Sequence, residues 1–220
     1  MTIRFGDNSW ILILVTFLEL LFLFIPPYIA SKIEHNTLKE QLIILGFHKS
    51  QELKLEKMLK IISGIGLSIL FLVFAVYMSF FFTYISRLIF GLEFVELAQQ
   101  GSISTGPVNP DMLQLVIIIF QQIFIIGICE EAFFRSFLIK KLRNKFGYIT
   151  CILISSIFFA IYHVPPFIVP FTTIVTYFGY YFTFGVLLSL IFIFYKESLL
   201  PAIISHGFFN IIIIILPFLN

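Results

Sequence analysis

The string EEAFFR, residues 130–135, places two carboxylates and a guanidinium inside a long apolar stretch. Ionised side chains of the Asp, Lys or Arg kind cost about 2.5 to 3.5 kcal/mol each at the centre of a membrane helix. Glu131 and Arg135 are four residues apart with the acid on the N-terminal side, the favourable order for a helical ion pair. Glu130 is rotated by about 100° from Glu131 and cannot share that partner. It is therefore the residue available for chemistry, which includes activating a water, binding a metal ion or carrying a proton.

Two further polar clusters lie in apolar runs nearer the C-terminus. His163 follows Phe159 by four residues and comes just before a proline pair that should end the helix. His206 and Asn210 are also four residues apart, so they project from one face of a helix. Taken singly, a histidine or asparagine in a membrane helix is often a packing residue that joins helices. Because three of the last four apolar runs each contribute polar residues, a functional site is favoured over packing alone.

These side chains permit two kinds of hydrolytic site. In the first, Glu130 acts as a general base on a water without any metal. In the second, Glu130, His163 and His206 form a two-histidine, one-carboxylate set of the kind that binds Zn²⁺. The chain lacks the HExxH motif, so a zinc site would be assembled from three separate helices. Both versions, with no cofactor or with Zn²⁺, stay open at this point.

The composition places the chain in a lipid bilayer. Of its 220 residues, 60% are hydrophobic and 12% are charged, and the mean hydropathy is +1.05. This leaves too little polar surface for a soluble globule. The net charge of +2 comes mostly from lysines in two short segments, which indicates membrane orientation and not a nucleic-acid-binding surface. Cys129 and Cys151 lie in apolar runs without a spacing pattern, which argues against disulfides or a cysteine metal site.

Apolar runs of span length predict an all-α fold, a polytopic transmembrane bundle of about six spans. A hydrocarbon core of about 30 Å takes about 20 helical residues. The runs are Trp10 to Ala30, Ile61 to Phe90, Met112 to Ile139, Tyr148 to Val169, Phe171 to Tyr195 and Ser198 to Leu216. We expect one membrane domain, in which residues 1–111 supply two spans with a lysine-rich connection and a polar loop. Residues 112–220 would form a C-terminal four-helix catalytic core.

Basic residues predict the orientation of the spans. The first connection, Ser31 to Lys60, contains six lysines with interleaved leucines and isoleucines, and it is a candidate for an interfacial amphipathic helix. The third, Lys140 to Phe146, contains four basic residues, whereas Gly91 to Asp111 contains no lysine or arginine. By the positive-inside rule the lysine-rich connections are cytoplasmic, and a multi-pass protein of the cell membrane is expected. The sequence leaves the oligomeric state open.

The three motifs, in this order, resemble those of the CPBP intramembrane proteases. This family includes type II CAAX prenyl endopeptidases, bacteriocin self-immunity proteins and proteins like lysostaphin resistance protein A. EEAFFR is similar to the family's E-E-x-x-x-R, FAIYH (Phe159 to His163) to F-x-x-x-H, and HGFFN (His206 to Asn210) to H-x-x-x-N/D. The resemblance covers about Met112 to Asn210.

The resemblance implies a membrane-embedded peptidase acting on a membrane-associated peptide or protein. The setting would be CAAX-type processing, or bacteriocin maturation and self-immunity. Glu130 would hold and deprotonate a water, and His163 would orient that water or donate to the leaving amine. His206 and Asn210 would donate hydrogen bonds to the oxyanion of the intermediate. The supporting residues would be Glu131, Arg135 and Phe159.

Two other functions use the same residues. In a proton- or ion-coupled transporter, membrane carboxylates and histidines would carry the ion. That function predicts inverted halves, and no internal repeat is evident. A catalytically inactive relative could instead serve as an immunity or scaffold protein. A further acid, Glu19, lies in the first run with no partner evident from spacing.

The depth of the three site residues presents a difficulty. Counted at about 1.5 Å per residue from the cytoplasmic ends of the runs, Glu130 and His206 lie about 12 to 13 Å deep. His163 lies about 22 Å deep on the same count. A tilted helix, or a fourth helix that begins well before the hydrocarbon, would close the gap.

Overall fold

Helices account for nearly all of the described structure. The computed structural model describes residues 3–4, 7–47, 52–104 and 111–218. The helices within them are α1 Ser9–Ile33, α2 Leu38–Ile44, α3 Lys54–Phe90, α4 Leu92–Gln100, α5 Met112–Arg143, α6 Tyr148–His163, α7 Phe171–Phe194 and α8 Leu199–Ile215. A single 3₁₀ turn, Leu216–Phe218, follows α8, and two-residue strands β1 Ile3–Arg4 and β2 Ile103–Ser104 pair in parallel. The predicted all-α polytopic bundle is confirmed.

Six of the helices correspond to the six predicted runs. Four of them, α1, α3, α5 and α7, are long and apolar enough to cross a membrane. The other two are shorter, 16 residues in α6 and 17 in α8, or about 24 to 26 Å. The fourth run extends to Val169, but its helix ends before the proline pair, as predicted. That helix ends at His163 because Pro165 and Pro166 follow, and proline disfavours helical geometry in the residue before it.

The first half of the chain differs from the predicted boundaries in two places. Helix α3 begins at Lys54 and not at Ile61, so the last three lysines of the first connection lie in its first turns. The connection Gly91 to Asp111 contains the amphipathic helix α4, which buries Val95 and Ala98 and exposes its glutamates. The loop predicted within this connection is Gly101 to Pro110. Gly91 separates α3 from α4 with φ of 89°. Residues 105–110 of the predicted loop lie outside the described residues.

The connection between α1 and α3 contains the seven-residue helix α2. Thr37 caps it, since its hydroxyl accepts a hydrogen bond from the Glu40 amide while the Glu40 carboxylate accepts one from the Thr37 amide. Helix α2 packs on α1 and α5 through a cluster that includes Leu45 and Phe137.

The two lysine-rich connections lie at the same end of the bundle. Lys141 Nζ is 2.5 Å from Glu34 Oε2, which ties the end of α5 to the end of α1. The hydrogen bond from Lys141, together with one from Gln41, holds the pKa of Glu34 below its ordinary value. At the opposite end, Ile3 pairs with Ile103. The membrane face that each end occupies stays a prediction.

Helix α5 contains two π-helical stretches, Gln121–Ile126 and Ala132–Leu138. In each stretch the backbone hydrogen bonds span five residues and not four, which changes the side chains that face the neighbouring helices. Glu130 and Glu131 lie in the short α-helical segment between them, Gly127–Glu131. The backbone that presents these glutamates is therefore irregular on both sides.

The two predicted halves of the chain pack directly on each other. Phe71 of α3 contacts the rings of Phe184 in α7 and Phe209 in α8 edge to face. These residues belong to a buried cluster that also includes Phe134 and Phe159. The core is thus shared between residues 1–111 and 112–220, and the assignment of catalysis to the second half stays a prediction.

Candidate active site

Glu130, His163 and His206 converge from α5, α6 and α8. Glu130 Oε2 is 3.9 Å from His163 Nε2 and 4.0 Å from His206 Nε2. Glu130 is 3% exposed, and within the described part of the chain its Oε2 has no hydrogen-bond partner. The separations exceed those of direct hydrogen bonds and leave room for a small group between the three side chains.

The hydrogen bond made by Nδ1 of each histidine fixes the tautomer of that ring. His163 Nδ1 is 2.9 Å from the carbonyl oxygen of Phe159, so Nδ1 must carry a proton and donate it. His206 Nδ1 likewise donates to Glu131 Oε1 at 2.8 Å. Each neutral ring therefore presents a bare Nε2 toward Glu130. Three lone pairs that face one point require a hydrogen-bond donor or a cation between them.

Arg135 connects the three motifs. Its guanidinium is fully buried and lies 3.1 Å from Glu131 Oε1, the oxygen that also accepts the proton of His206. It also stacks on the Phe159 ring with its Cζ 4.2 Å from the centroid. The predicted ion pair between Glu131 and Arg135 is confirmed. The contact of Glu131 with His206 was not predicted, and it shows that the pair also orients a site histidine.

The different membrane depths predicted for Glu130 and His163 came from the choice of helix ends. Helix α5 extends to Arg143 and not Ile139, so Glu130 lies 13 residues, about 20 Å, from its end. His163 lies 15 residues, about 22 Å, from the start of α6. Since only residues 144–147 separate the two helices, both side chains reach the same level. Helix α8 begins deeper, with Leu199 packed against the cluster of Ile139 and Phe192.

Two glycines bring α8 against α5. A Cβ on Gly207 would lie 3.0 Å from the carbonyl oxygen of Gln122, and one on Gly127 would lie 3.3 Å from that of Ile203. The two backbones can approach this closely only because both positions lack side chains. His206 immediately precedes Gly207, so this contact places its ring beside the glutamates of α5.

Asn210 lies one turn beyond His206 and lines the same cavity. Its Nδ2 donates a hydrogen bond to Gln122 Oε1 at 2.8 Å, which leaves its second N–H for another acceptor. Gln122 is 3% exposed, and sequence reasoning missed it. The signal was present, because Gln121 and Gln122 interrupt an apolar run two turns before Glu130.

Aromatic rings enclose His163. Tyr181 of α7 stacks on its imidazole with centroids 4.6 Å apart, and the Phe159 ring lies 4.2 Å away. Tyr181 was not predicted as part of the site, since nothing in its local sequence distinguishes it from the other aromatic residues of α7. The two rings restrict the imidazole to the orientation in which Nε2 faces Glu130.

A cavity of about 1380 Å³ adjoins these residues. It is lined mainly by apolar and aromatic side chains, with Glu130, His163 and His206 among its few polar groups. Its lining includes exposed apolar residues of α1, α8 and the segment after α6, namely Leu18, Leu21, Ile25, Phe167, Ile168 and Ile213. The volume exceeds the roughly 300 to 1,000 Å³ of small-molecule pockets, so an extended peptide or acyl chain can enter.

Glu19 also lines this cavity, although no partner was evident from its sequence. It is 5% exposed, and its Oε1 accepts a hydrogen bond from the hydroxyl of Tyr162. Within the described residues, its Oε2 has no hydrogen-bond partner. The first span thus contributes a second carboxylate near the site.

The donor types of Glu130, His163 and His206 fit Zn²⁺, since both histidines present Nε2 and have Nδ1 held by an acceptor. Their spacing is wider than a zinc site requires. Tetrahedral ligands about 2.0 to 2.1 Å from zinc stand about 3.3 to 3.4 Å apart, against 3.9 and 4.0 Å here. Among the residues described, no group of three or more His, Cys, Asp or Glu side chains has metal-binding geometry. A water about 2.8 Å from both groups at a tetrahedral angle would place them about 4.6 Å apart, so the observed distances fall between the two cases.

The fold and the site define a multi-pass helical membrane protein with a buried glutamate and two histidines at an apolar cavity. Residues 112–212, which carry all three motifs, match the family model described as Type II CAAX prenyl endopeptidase Rce1-like. The matched segment is the one in which the three motifs resemble the CPBP intramembrane proteases, so the match agrees with that resemblance. No curated protein and no solved structure matches the chain.

Proposed function

We propose that this protein is an intramembrane endopeptidase that cleaves a membrane-associated peptide with a water activated by Glu130. The observation that carries the proposal is the approach of two histidine Nε2 atoms to within 4.0 Å of a Glu130 oxygen that has no hydrogen-bond partner among the described residues. These atoms lie at the wall of a large apolar cavity. A general base needs a position within hydrogen-bond reach of the water that it deprotonates, and this arrangement provides one.

The first step is attack on the scissile carbonyl. A water about 2.8 Å from Glu130 Oε2 and from one Nε2 donates one hydrogen bond to each. Glu130 removes a proton as the water oxygen bonds to the carbonyl carbon, and the carbonyl electron pair moves to oxygen. The product of this step is a tetrahedral oxyanion beside a protonated Glu130.

Stabilisation of the oxyanion falls to His206 and Asn210. In this role His206 takes up a second proton from solvent before the attack and keeps it throughout. Its ring is then a cation whose Nδ1 is held by Glu131, and Nε2–H faces the site. The second N–H of Asn210 is the other donor. Loss of one such donor costs about 3 kcal/mol in other proteases.

Collapse of the intermediate requires a proton for the leaving amine. That proton comes from Glu130, either directly or through His163, whose Nε2 is 3.9 Å away. The C–N bond then breaks, and a carboxylic acid and an amine leave. The contact with Tyr181 holds His163 in place through both steps.

In a metal-dependent version, Glu130, His163 and His206 would hold Zn²⁺. A bound zinc would polarise the carbonyl and lower the pKa of a coordinated water. Glu131 and Phe159 would still orient the two rings, because each accepts a hydrogen bond from the Nδ1 of one histidine.

The apolar lining of the cavity supports a membrane-anchored substrate. Aromatic and aliphatic walls suit an acyl or prenyl chain and apolar residues, and they suit a hydrated ion poorly. This favours a peptidase over a transporter. CAAX-type processing of prenylated tails and maturation of bacteriocin-like peptides, with self-immunity, are the settings that we propose.

A cleavage assay in liposomes tests the proposal. The purified protein is incubated with membrane-anchored peptides, prenylated and unprenylated, and the fragments are identified by mass spectrometry. We expect cleavage by the wild type and none by Glu130→Gln or His163→Ala. Glu96→Gln, which changes an exposed carboxylate on α4, is the matched control. Equal cleavage by wild type and Glu130→Gln would overturn the proposal, and a proton-coupled flux lost in Glu130→Gln would favour a transporter.

A further inference from the structure

Glu19 is a buried carboxylate that the proposed mechanism does not use. It lies on α1, outside the segment that matches the family model, and it lines the same cavity as Glu130. One of its oxygens accepts the hydroxyl proton of Tyr162, and the other has no partner among the described residues. Such a group is costly in a membrane unless a cation or a donor reaches it.

The described part of the chain places no lysine or arginine beside this group. Among the described residues that line the cavity there are two glutamates and no lysine or arginine. Arg135 is fully buried behind the site and pairs with Glu131. A positive charge beside Glu19 would therefore have to come from a molecule that enters the cavity.

Glu19 is held rigidly for such a role. The hydroxyl of Tyr162 occupies one of its oxygens and so orients the other. One turn along α1, Phe22 packs edge to face on Tyr162 at 5.0 Å and stacks on Phe133 of α5 at 5.0 Å. Preorganised charges of this kind bind a complementary group at little entropic cost.

Side-chain contacts through Tyr162 link Glu19 to His163. Tyr162 directly precedes His163, and their rings meet edge to face at 5.3 Å. A substrate held at Glu19 would therefore extend past His163 toward Glu130.

We propose that Glu19 is a specificity-determining residue that binds an ammonium group of the peptide substrate near the scissile bond. The ammonium is that of a lysine side chain or of a free peptide N-terminus. This inference rests on the proposed peptidase function and adds a charge requirement to its otherwise apolar substrate. Glu19 touches the substrate in this scheme but takes no part in bond breaking.

Matched peptides test the inference. One membrane-anchored sequence that the enzyme cleaves is made with lysine, norleucine or glutamate at each position near the cut, and with a free or acetylated N-terminus. Norleucine keeps the length of the aliphatic chain without the charge. We expect wild-type kcat/KM for the best lysine or free-amine peptide to exceed that of its neutral counterpart about tenfold, the usual size of one charge-assisted hydrogen bond.

Substitutions of Glu19 test whether this carboxylate causes the preference for the charged peptide. In Glu19→Gln the ratio of charged to neutral kcat/KM should fall to about one, and in Glu19→Lys the glutamate peptide should become the preferred one. Tyr162→Phe is the matched control, because it removes the hydrogen bond to Glu19 and keeps the carboxylate. It should keep a preference for the charged peptide, smaller than that of the wild type because the carboxylate is no longer oriented. If Glu19→Gln and Tyr162→Phe slow all peptides equally with the ratio unchanged, Glu19 is structural and the inference fails.

A binding measurement separates this inference from the proposed function. In the Glu130→Gln background, the affinity for charged and neutral peptides is compared with and without Glu19→Gln by fluorescence anisotropy. If the wild type cleaves nothing but the charged peptide binds more tightly through Glu19, the peptidase proposal fails and the cation site stands. If cleavage depends on Glu130 and neither rate nor affinity responds to charge at any position, the cation site is wrong.

Discussion

His206 Nδ1 lies 2.8 Å from Glu131 Oε1, and this hydrogen bond decides the chemistry that the second histidine can perform. It directs the bare Nε2 toward Glu130. It also places a carboxylate where it stabilises a protonated imidazole ring. Since the same oxygen pairs with Arg135 at 3.1 Å, one buried contact joins the stability of the bundle to the geometry of the site.

Glu131→Gln should therefore lower both stability and activity. It leaves the buried Arg135 guanidinium without its counter-ion, and breaking a buried pair in this way costs about 3 to 5 kcal/mol. It also weakens the hold on His206. Denaturant unfolding in detergent micelles measures the first effect and peptide cleavage the second.

A double-mutant cycle with Arg135→Met shows whether the loss comes from the unpaired charge. We expect the double variant to be more stable than Glu131→Gln alone. This account would be contradicted if the loss of unfolding free energy in the double variant equalled the sum of the losses in the two single variants.

Glu130→Gln should lower activity without lowering stability. The substitution is nearly isosteric and removes the general base, so kcat/KM should fall by about two to four orders of magnitude. Because the Glu130 oxygen that faces the histidines has no partner in the described structure, stability should be unchanged or higher. Thermal unfolding of the two proteins in the same detergent provides the check. A clear fall in stability would mean that Glu130 is chiefly a structural residue.

Gly207→Val should separate α8 from α5 and inactivate the protein. Even a Cβ at this position would lie 3.0 Å from a backbone oxygen of α5, so the larger side chain must push the helices apart and carry His206 with them. Gly66→Val on α3 is the matched control, since a Cβ there meets nothing within 4 Å. We expect cleavage to be lost in the first variant and kept in the second. If Gly207→Val retains activity, the close helix contact does not position the site.

Exhaustive chelation should leave cleavage intact. The distances of 3.9 and 4.0 Å from Glu130 to the two histidines exceed the separation of about 3.3 to 3.4 Å expected between zinc ligands. Activity is measured before and after chelation, together with the metal content of the purified protein. One zinc per active chain, with activity lost on its removal and restored on its return, would replace the metal-free mechanism with the metal-dependent one.

The lysine-rich end of the bundle should face the cytoplasm. Lys145 lies in the short connection between α5 and α6, and Glu93 lies on α4 in the connection without basic residues. In intact cells a membrane-impermeant maleimide should label the single cysteine of Glu93→Cys, and it should label that of Lys145→Cys only after the cells are permeabilised. Labelling of Lys145→Cys from outside would reverse the orientation.

Hydropathy and motif spacing predicted much of the fold and the main site residues. Long apolar runs predict membrane helices because the cost of burying a polar backbone leaves no other choice. The ion pair of Glu131 with Arg135 follows from helical geometry alone. Helix ends were less predictable, as the early start of α3 and the added helix α4 show, because glycines and packing decide them.

Contacts between distant parts of the chain could not be predicted in this way. The π-helical stretches of α5, the stacking of Tyr181 on His163 and the hydrogen bond from Tyr162 to Glu19 leave no periodic signal. Each depends on how two helices meet.

By itself, the sequence determined that this protein is a helical membrane bundle and that Glu130, His163, His206 and Asn210 are its candidate reactive residues. Those conclusions depend on hydrophobicity and on the 3.6-residue period, which are local properties. Only the tertiary structure decided that His163 and His206 both lie within 4.0 Å of Glu130 and that Glu19 lines the same cavity. The physical reason is that the approach of α5 and α8, set by two glycines in contact across helices, is a property of the packed pair and of neither segment alone.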